Sequence, residues 1–178
     1  DMVIKDLSVF ERYIEASKVT GLKHMMFGYH GPANKLNNKP FSRFVVPYSD
    51  DIEIAFNTHC VGSFCYYHSS VLNDVGLNDE NFTNAWEHVE HSYRIVKAGY
   101  IPGYWYWPDL ANSCKYIGEQ ACSEQNSTIR PRSDWRSNIV NGAKYFETKH
   151  GSSPVGVPAL TREEIYQSIK KIRKTYGR

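Results

Sequence analysis

The 178-residue chain is short of the features that assign a protein at a glance. No apolar run approaches the ~18–20 residues that a membrane-spanning helix needs. Charge of one sign is not in excess: 21 Lys and Arg face 19 Asp and Glu, for a formal net charge of +2. That balance gives no basis for nucleic-acid binding through bulk electrostatics. The four cysteines, Cys60, Cys65, Cys114 and Cys122, contain no Cys-x-x-Cys pair. They read as free thiols in a reducing compartment, which sets the expectation of a cytoplasmic protein. Two sequons, Asn81-Phe82-Thr83 and Asn126-Ser127-Thr128, are too short a pattern to establish secretion. No internal repeat is visible.

Aromatic residues are plentiful, at 14% of the chain with 13 Tyr and 4 Trp. They pack cores, and Tyr and Trp also line sites that hold sugars and rings. With 41% hydrophobic and 22% charged residues, the composition is that of an ordinary folded domain, long enough to enclose a core.

Periodicity lays out the elements. Leu7, Phe10, Tyr13 and Ile14 repeat at helical spacing between Asp6, a candidate N-cap, and Gly21, a candidate stop. "LKHMMFGYHG" reads as a short buried strand, and residues 31–43 as a loop rich in Gly, Pro and Asn. "RFVVPY" and "IEIAFNTHCVGSFCYY" are extended, the second with a bend at Gly62. "SSVLNDVG" fits a short helix. The strongest helical stripe, Phe82, Trp86, Val89, Tyr93 and Val96, predicts a helix from Thr83 to Ala98 that stops at Gly99. "YIPGYWYWPD" reads as a short strand running into a loop, and 111–131 as irregular. A helix over 134–150 follows, then a linker-like "GSSPVGVPA". A basic amphipathic helix opening on the capping box Thr161-Arg162-Glu163-Glu164 closes the chain. The division expected is 1–150 as the domain and 151–178 as linker plus helix. Alternation of strand and helix predicts an α/β class.

The chemistry concentrates in "WEHVEHSYR", residues 86–94. His88 and His91 fall on one helical face, yet the His-Glu-x-x-His and His-x-x-Glu-His spacings of zinc hydrolases are missing. Glu87 with His91, and Glu90 with Arg94, are four apart, as in the ion pairs of a solvated helix surface.

The surroundings of this stretch change its meaning. Gly62-Ser63-Phe64-Cys65-Tyr66-Tyr67 is followed by a small helix, then by "VGLNDENF" (75–82), then by "WEHVEHSYRIVKAG" (86–99). This order resembles the second half of a GT-A glycosyltransferase of the family-2 type, which carries Gly-x-Phe, VGGFDExF and a Glu-Asp helix ending in Tyr-Arg. The likeness covers roughly residues 54–110. It implies a GT-A-type, Rossmann-like mixed sheet flanked by helices, of which this chain would be the C-terminal portion. It also implies transfer of a sugar from a nucleotide-sugar, such as a UDP-sugar, to a glycan or related hydroxyl acceptor, with inversion.

The resemblance carries roles with it. "DMVIKDLSVFERYI" looks like the continuation of an Asp-x-Asp motif, so Asp1 would ligate Mn²⁺ or Mg²⁺, with the nucleotide-binding half lying upstream. Asp109 in "WYWPDLANS" stands where a further metal ligand often follows, and His59 is a rival for that place. Glu87 aligns with the family's Glu and His88 with its Asp, so either would be the base that takes the acceptor proton. Gly62, Phe64 and Trp86 would border the acceptor. Trp105 and Trp107 would offer rings to a sugar, and His30, with Asn34 and Lys35, would reach a phosphate or the acceptor. Arg130 and Arg132 would form a lid over the diphosphate.

Two other classes compete. A noncatalytic assembly module would use the basic terminal helix, with Lys170, Lys171, Arg173 and Lys174, to meet a partner, a second copy or an anionic membrane surface. A zinc hydrolase would need the two histidines of 88–91 as ligands.

Overall fold

The structure, a computed structural model, describes residues 2–119 and 132–178. Strand β1 (Met2–Ile4) leads into helix α1 (Val9–Thr20) and strand β2 (His24–Met26). Two short 3-10 turns precede a hairpin of β3 (Lys35–Leu36) and β4 (Lys39–Pro40), followed by β5 (Phe44–Pro47), β6 (Glu53–Asn57) and β7 (Cys65–Tyr67). Next come helices α2 (Ser69–Asp74) and α3 (Glu87–Lys97), then strands β8 (Trp107–Leu110) and β9 (Ile117–Glu119). Helices α4 (Trp135–His150) and α5 (Arg162–Tyr176) finish the chain.

The architecture is mixed α/β, with the strands in small antiparallel groups: β1 with β9, β2 with β7, β3 with β4, and β5-β6-β8. Among the described residues every strand pair is antiparallel, in place of the single mixed sheet expected from the sequence. The long extended stretch 52–67 divides into β6 and β7, which belong to different sheets. The β3–β4 hairpin turns on Asn37 and Asn38, both at positive φ (52° and 58°). Two such residues form the type I′ turn that matches strand twist, and Asn tolerates that region better than most residues.

Helix α1 ends at Gly21 as expected, but its cap is Ser8 instead of Asp6. Asp6 Oδ1 accepts the Ser8 N–H at 2.9 Å, Ser8 is the cap, and Gly21 ends the helix at φ 79°. Its buried face is Val9, Tyr13, Ala16, Ser17 and Thr20, so Leu7, Phe10 and Ile14 lie exposed instead of in the core. The small residues Ala16, Ser17 and Thr20 allow the close approach that the larger residues would block.

Residues 151–178 are part of the same core, not a tethered appendage. Tyr104, Trp105 and Tyr106 donate from their polar tips to the carbonyls of Pro154, Val157 and Leu160, at 2.8, 2.7 and 3.0 Å. The stretch read as a linker is thus strapped down by three aromatic donors. Helix α5 begins with both bonds of the Thr161–Glu164 capping box and buries Ile165, Ile169 and Ile172. Its C-terminal end meets α1, where Arg178 N–H bonds the Lys18 carbonyl at 2.8 Å. Arg173 lies over the Tyr48 ring and bonds the Tyr48 carbonyl, while Lys170, Lys171 and Lys174 stay exposed.

Candidate active site

Helix α3 begins at Glu87, four residues later than the apolar stripe predicts. Trp86 occupies the cap in the left-handed region (φ 69°), a conformation no periodicity argument anticipates. Its indole N–H donates to the Ile139 carbonyl at 2.9 Å. A Cβ on Gly142 would sit 2.9 Å from Trp86 Cδ1, so this glycine of α4 lets the ring lie flat against the helix. Trp86 therefore anchors the start of α3 to α4, and its N–H is already committed. Glu87 and His88, the first two helical residues, follow at a half-open surface.

The His88 ring rests on Gly62. A Cβ at Gly62 would fall 2.7 Å from His88 Cγ and 2.9 Å from Nδ1, closer than real atoms approach. Glu87 Oε1 lies 3.4 Å from His88 Nδ1. That hydrogen bond, the largest influence on Glu87, holds its carboxyl below the usual range despite partial burial. The fold thus brings Gly62, Glu87 and His88 together.

His59 and His30 complete the neighbourhood. Asn34, buried between the 3-10 turns and the loop after β6, donates to the carbonyls of Gly28 (2.8 Å) and His59 (3.0 Å). It also accepts the His59 N–H at 2.8 Å. Asn34 is therefore a clamp within the fold, not an acceptor contact. Burial, then the nearby charges of His88 and His30, keeps the His59 imidazole biased toward neutrality. His30 Nδ1 stands 2.8 Å from Glu119 Oε1, whose other oxygen meets Lys35 Nζ at 2.5 Å. Glu119 was missed in the sequence because it gains its role only through the pairing of β9 with β1, where it lies opposite Met2.

The back of α3 is bound to the turn that precedes it. His91 Nε2 bonds the Gly76 carbonyl at 2.8 Å, and Arg94 donates to the carbonyls of Val75 and Leu77. The stretches "VGLNDENF" and "WEHVEHSYR" are thus one physical unit. His91 faces this turn and not Glu87, so the surface pair expected between them does not form. Glu90 with Arg94 does pair, at 3.0 Å, but Glu90 is 0% exposed. It also meets Lys149 (2.9 Å) and His150 (3.1 Å) of α4. Burial pushes its pKa up, and the hydrogen bonds from Lys149, Arg94 and His150 more than offset that, leaving it lowered.

Asp109 departs furthest from its expected role. It lies in the core on β8, with Oδ1 accepting from Tyr13 at 2.5 Å and Oδ2 accepting from Gly28 N–H at 2.8 Å and Ser113 at 2.7 Å. Burial pushes its carboxyl up to about 7, against the opposite pull of those donors. It borders a cavity of about 160 Å³ that Asn57 and Ser113 also line. Both oxygens are taken by donors, which leaves it unsuited to hold a cation. Asp1 lies outside the described residues. No group of three or more His, Cys, Asp or Glu side chains gathers for a metal among the described residues. The described residues alone therefore do not build the site that Mn²⁺ or Mg²⁺ would need.

The remaining aromatics are largely occupied by packing. Trp107 is 1% exposed and meets Tyr104 edge-on, with no free face for a sugar. Trp105, also at positive φ (69°), spends its N–H on the strap to Val157. Phe64 packs against Tyr13 at 5.3 Å, and its carbonyl accepts the Phe27 N–H. Arg132 pairs with Asp134 at 3.0 Å, and Arg130 lies outside the described residues. Cys60, Cys65 and Cys114 are free thiols, and Cys122 lies outside the described residues. No described helix is long and apolar enough to cross a membrane.

Comparison with known proteins returns no match, whether by family model, among curated proteins or among solved structures.

Proposed function

We propose that this chain is the acceptor-side part of a GT-A-type glycosyltransferase, which moves a sugar from a nucleotide-sugar to a hydroxyl of a glycan or related acceptor with inversion. The observation that carries this reading is the opening of α3. There a carboxylate and an imidazole, Glu87 and His88, sit together at a half-exposed surface against Gly62. The neighbouring imidazole of His59 and the His30–Glu119–Lys35 group give that surface further polar contacts for a hydroxyl-rich ligand.

Inverting transfer asks little of such a site. One group must take the proton from the attacking hydroxyl, and the site must hold donor and acceptor in line. Glu87 and His88 both have the chemistry for the first task. The clamped turn 75–77 and the buried Glu90 network supply the rigidity for the second. A divalent cation on the donor diphosphate stays part of this reading, with no ligand assigned among the described residues and no step drawn through it.

Replacing Glu87 or His88 by Ala in the full-length protein tests the assignment, with release of nucleoside diphosphate from a nucleotide-sugar panel as readout. Loss of at least a hundredfold, with circular dichroism unchanged, is expected. Full activity in both variants would remove these residues from the reaction.

The competing reading, a noncatalytic assembly module, draws on the outer face of α1. Phe10 and Ile14 lie exposed there, with exposed Leu7 in the turn just before the helix. A self-associating protein that leaves every nucleotide-sugar intact would favour that alternative.

A further inference from the structure

We infer that Glu87 and Gly62 are positioning residues for His88: the Glu87 carboxylate holds the ring proton on Nδ1, Gly62 provides the seat for the ring, and Nε2 is left as the base that deprotonates the acceptor. This rests on the transferase reading above and separates the roles which that reading leaves shared between Glu87 and His88.

Hydrogen-bond chemistry decides which atom carries the proton. An ionised carboxylate only accepts, so the 3.4 Å contact between Glu87 Oε1 and His88 Nδ1 requires the hydrogen on Nδ1. Glu87 is held below its usual carboxylate range, first by this same bond, so it is ionised at neutral pH. A neutral imidazole protonated on Nδ1 keeps its lone pair on Nε2. Among the described residues Nε2 has no hydrogen-bond partner, and the side chain is 30% exposed, open to an incoming hydroxyl. At 3.4 Å the bond is long, as apo contacts often are before a substrate closes the site.

Gly62 fixes where the ring lies. The atoms that a Cβ would strike are Cγ, Nδ1 and Cβ of His88, at 2.7, 2.9 and 3.0 Å. These belong to the root of the side chain and to the ring atom that faces Glu87. A larger residue at 62 would lift the ring off its carboxylate. From other elements, His59 in the loop after β6 and His24 on β2 lie within electrostatic reach of His88, and both His24 nitrogens are bonded elsewhere, to the Tyr66 carbonyl and Ser92. Burial is the main cause that keeps both histidines toward neutrality, His24 down at about 4. Glu87 is therefore the charged partner beside the ring.

The step balances without further reagents. The acceptor O–H proton passes to His88 Nε2 as the acceptor oxygen bonds to the anomeric carbon. The anomeric carbon–oxygen bond to the nucleoside diphosphate breaks, and its electron pair leaves on the diphosphate oxygen. His88, now cationic and still bonded to Glu87, later returns the proton to solvent.

Nitrogen NMR of the imidazoles in the full-length protein, combined with kcat and KM for each variant, tests this. The wild type is expected to show His88 protonated on Nδ1 at high pH. In Glu87→Ala that preference is lost. Gly62→Ala is expected to lower kcat by tenfold or more with KM for the nucleotide-sugar little changed. An Nε2-protonated ring in the wild type, or an unaltered tautomer in Glu87→Ala, overturns the inference even if transfer is robust. An Nδ1-protonated ring in a protein that transfers no sugar overturns the base role together with the transferase reading, while the Glu87–His88 bond stands.

Discussion

Lys149 Nζ lies 2.9 Å from Glu90 Oε1, joining the last turn of α4 to the fully buried acid in the first turn of α3. The same ammonium reaches Asp79 Oδ2 at 2.6 Å, so one cation fastens α4, α3 and the turn before α3. Arg94 and His150 complete the shell around Glu90. Glu87 and His88 thus project from a helix whose other face is held by charge pairs away from bulk water.

Glu90→Gln is expected to destabilise the protein by about 3 kcal/mol, because it leaves three basic groups around a site that no longer carries charge. Urea denaturation of the two proteins measures this. A loss below about 0.5 kcal/mol would show the network to be no stronger than a surface pair.

The pH dependence of stability has two opposed parts. Asp79 and Glu90 have folded pKa values below their ordinary ones. Their contribution is present above the unfolded carboxylate range and is lost as pH falls through the folded values. Asp109 runs the other way. Its folded value of about 7 exceeds the ordinary 3.8, so the native state binds the proton more tightly and stability falls as pH rises between those limits. Asp109→Asn is expected to remove that decline. Unfolding free energies at pH 5 and 7.5 measure the slope independently of any overall loss in the variant. An unchanged slope would place the titration elsewhere.

Ile169→Ala is expected to cost about 3 kcal/mol in a single cooperative transition, since Ile169 lies in the common core with Ile165 and Ile172. Trp105→Phe, which deletes the N–H to Val157 and leaves a smaller ring against Tyr104, is expected to cost about 2 kcal/mol. Both are read by urea unfolding followed with far-ultraviolet circular dichroism. A separate early transition confined to the terminal helix would restore the division at residue 150.

Local rules carried much of the secondary structure. The Thr161–Glu164 capping box, the Gly21 and Gly99 stops and the short helix at 69–74 are written in adjacent residues, and all are present. Long-range outcomes were less legible. Glu90 and Arg94 sit four apart as surface pairs do, and only the arrival of α4 with Lys149 and His150 buries them. "GSSPVGVPA" has the composition of a linker, and its carbonyls become fixed because Tyr104, Trp105 and Tyr106 lie opposite. The order of motifs singled out Gly62, Glu87 and His88, while the seat of the His88 ring on Gly62 is a contact between distant segments. The burial of Asp109 is likewise a long-range outcome, since its partners Tyr13, Gly28 and Ser113 come from three separate segments.

The most direct test of sugar transfer is the mass of the acceptor. The full-length protein, incubated with a panel of nucleotide-sugars and simple glycan acceptors, should add one glycosyl residue to at least one acceptor, and His88→Ala should add none. Equal product from His88→Ala, or nucleotide-sugars and acceptors that all remain unchanged with the wild type, would contradict the account.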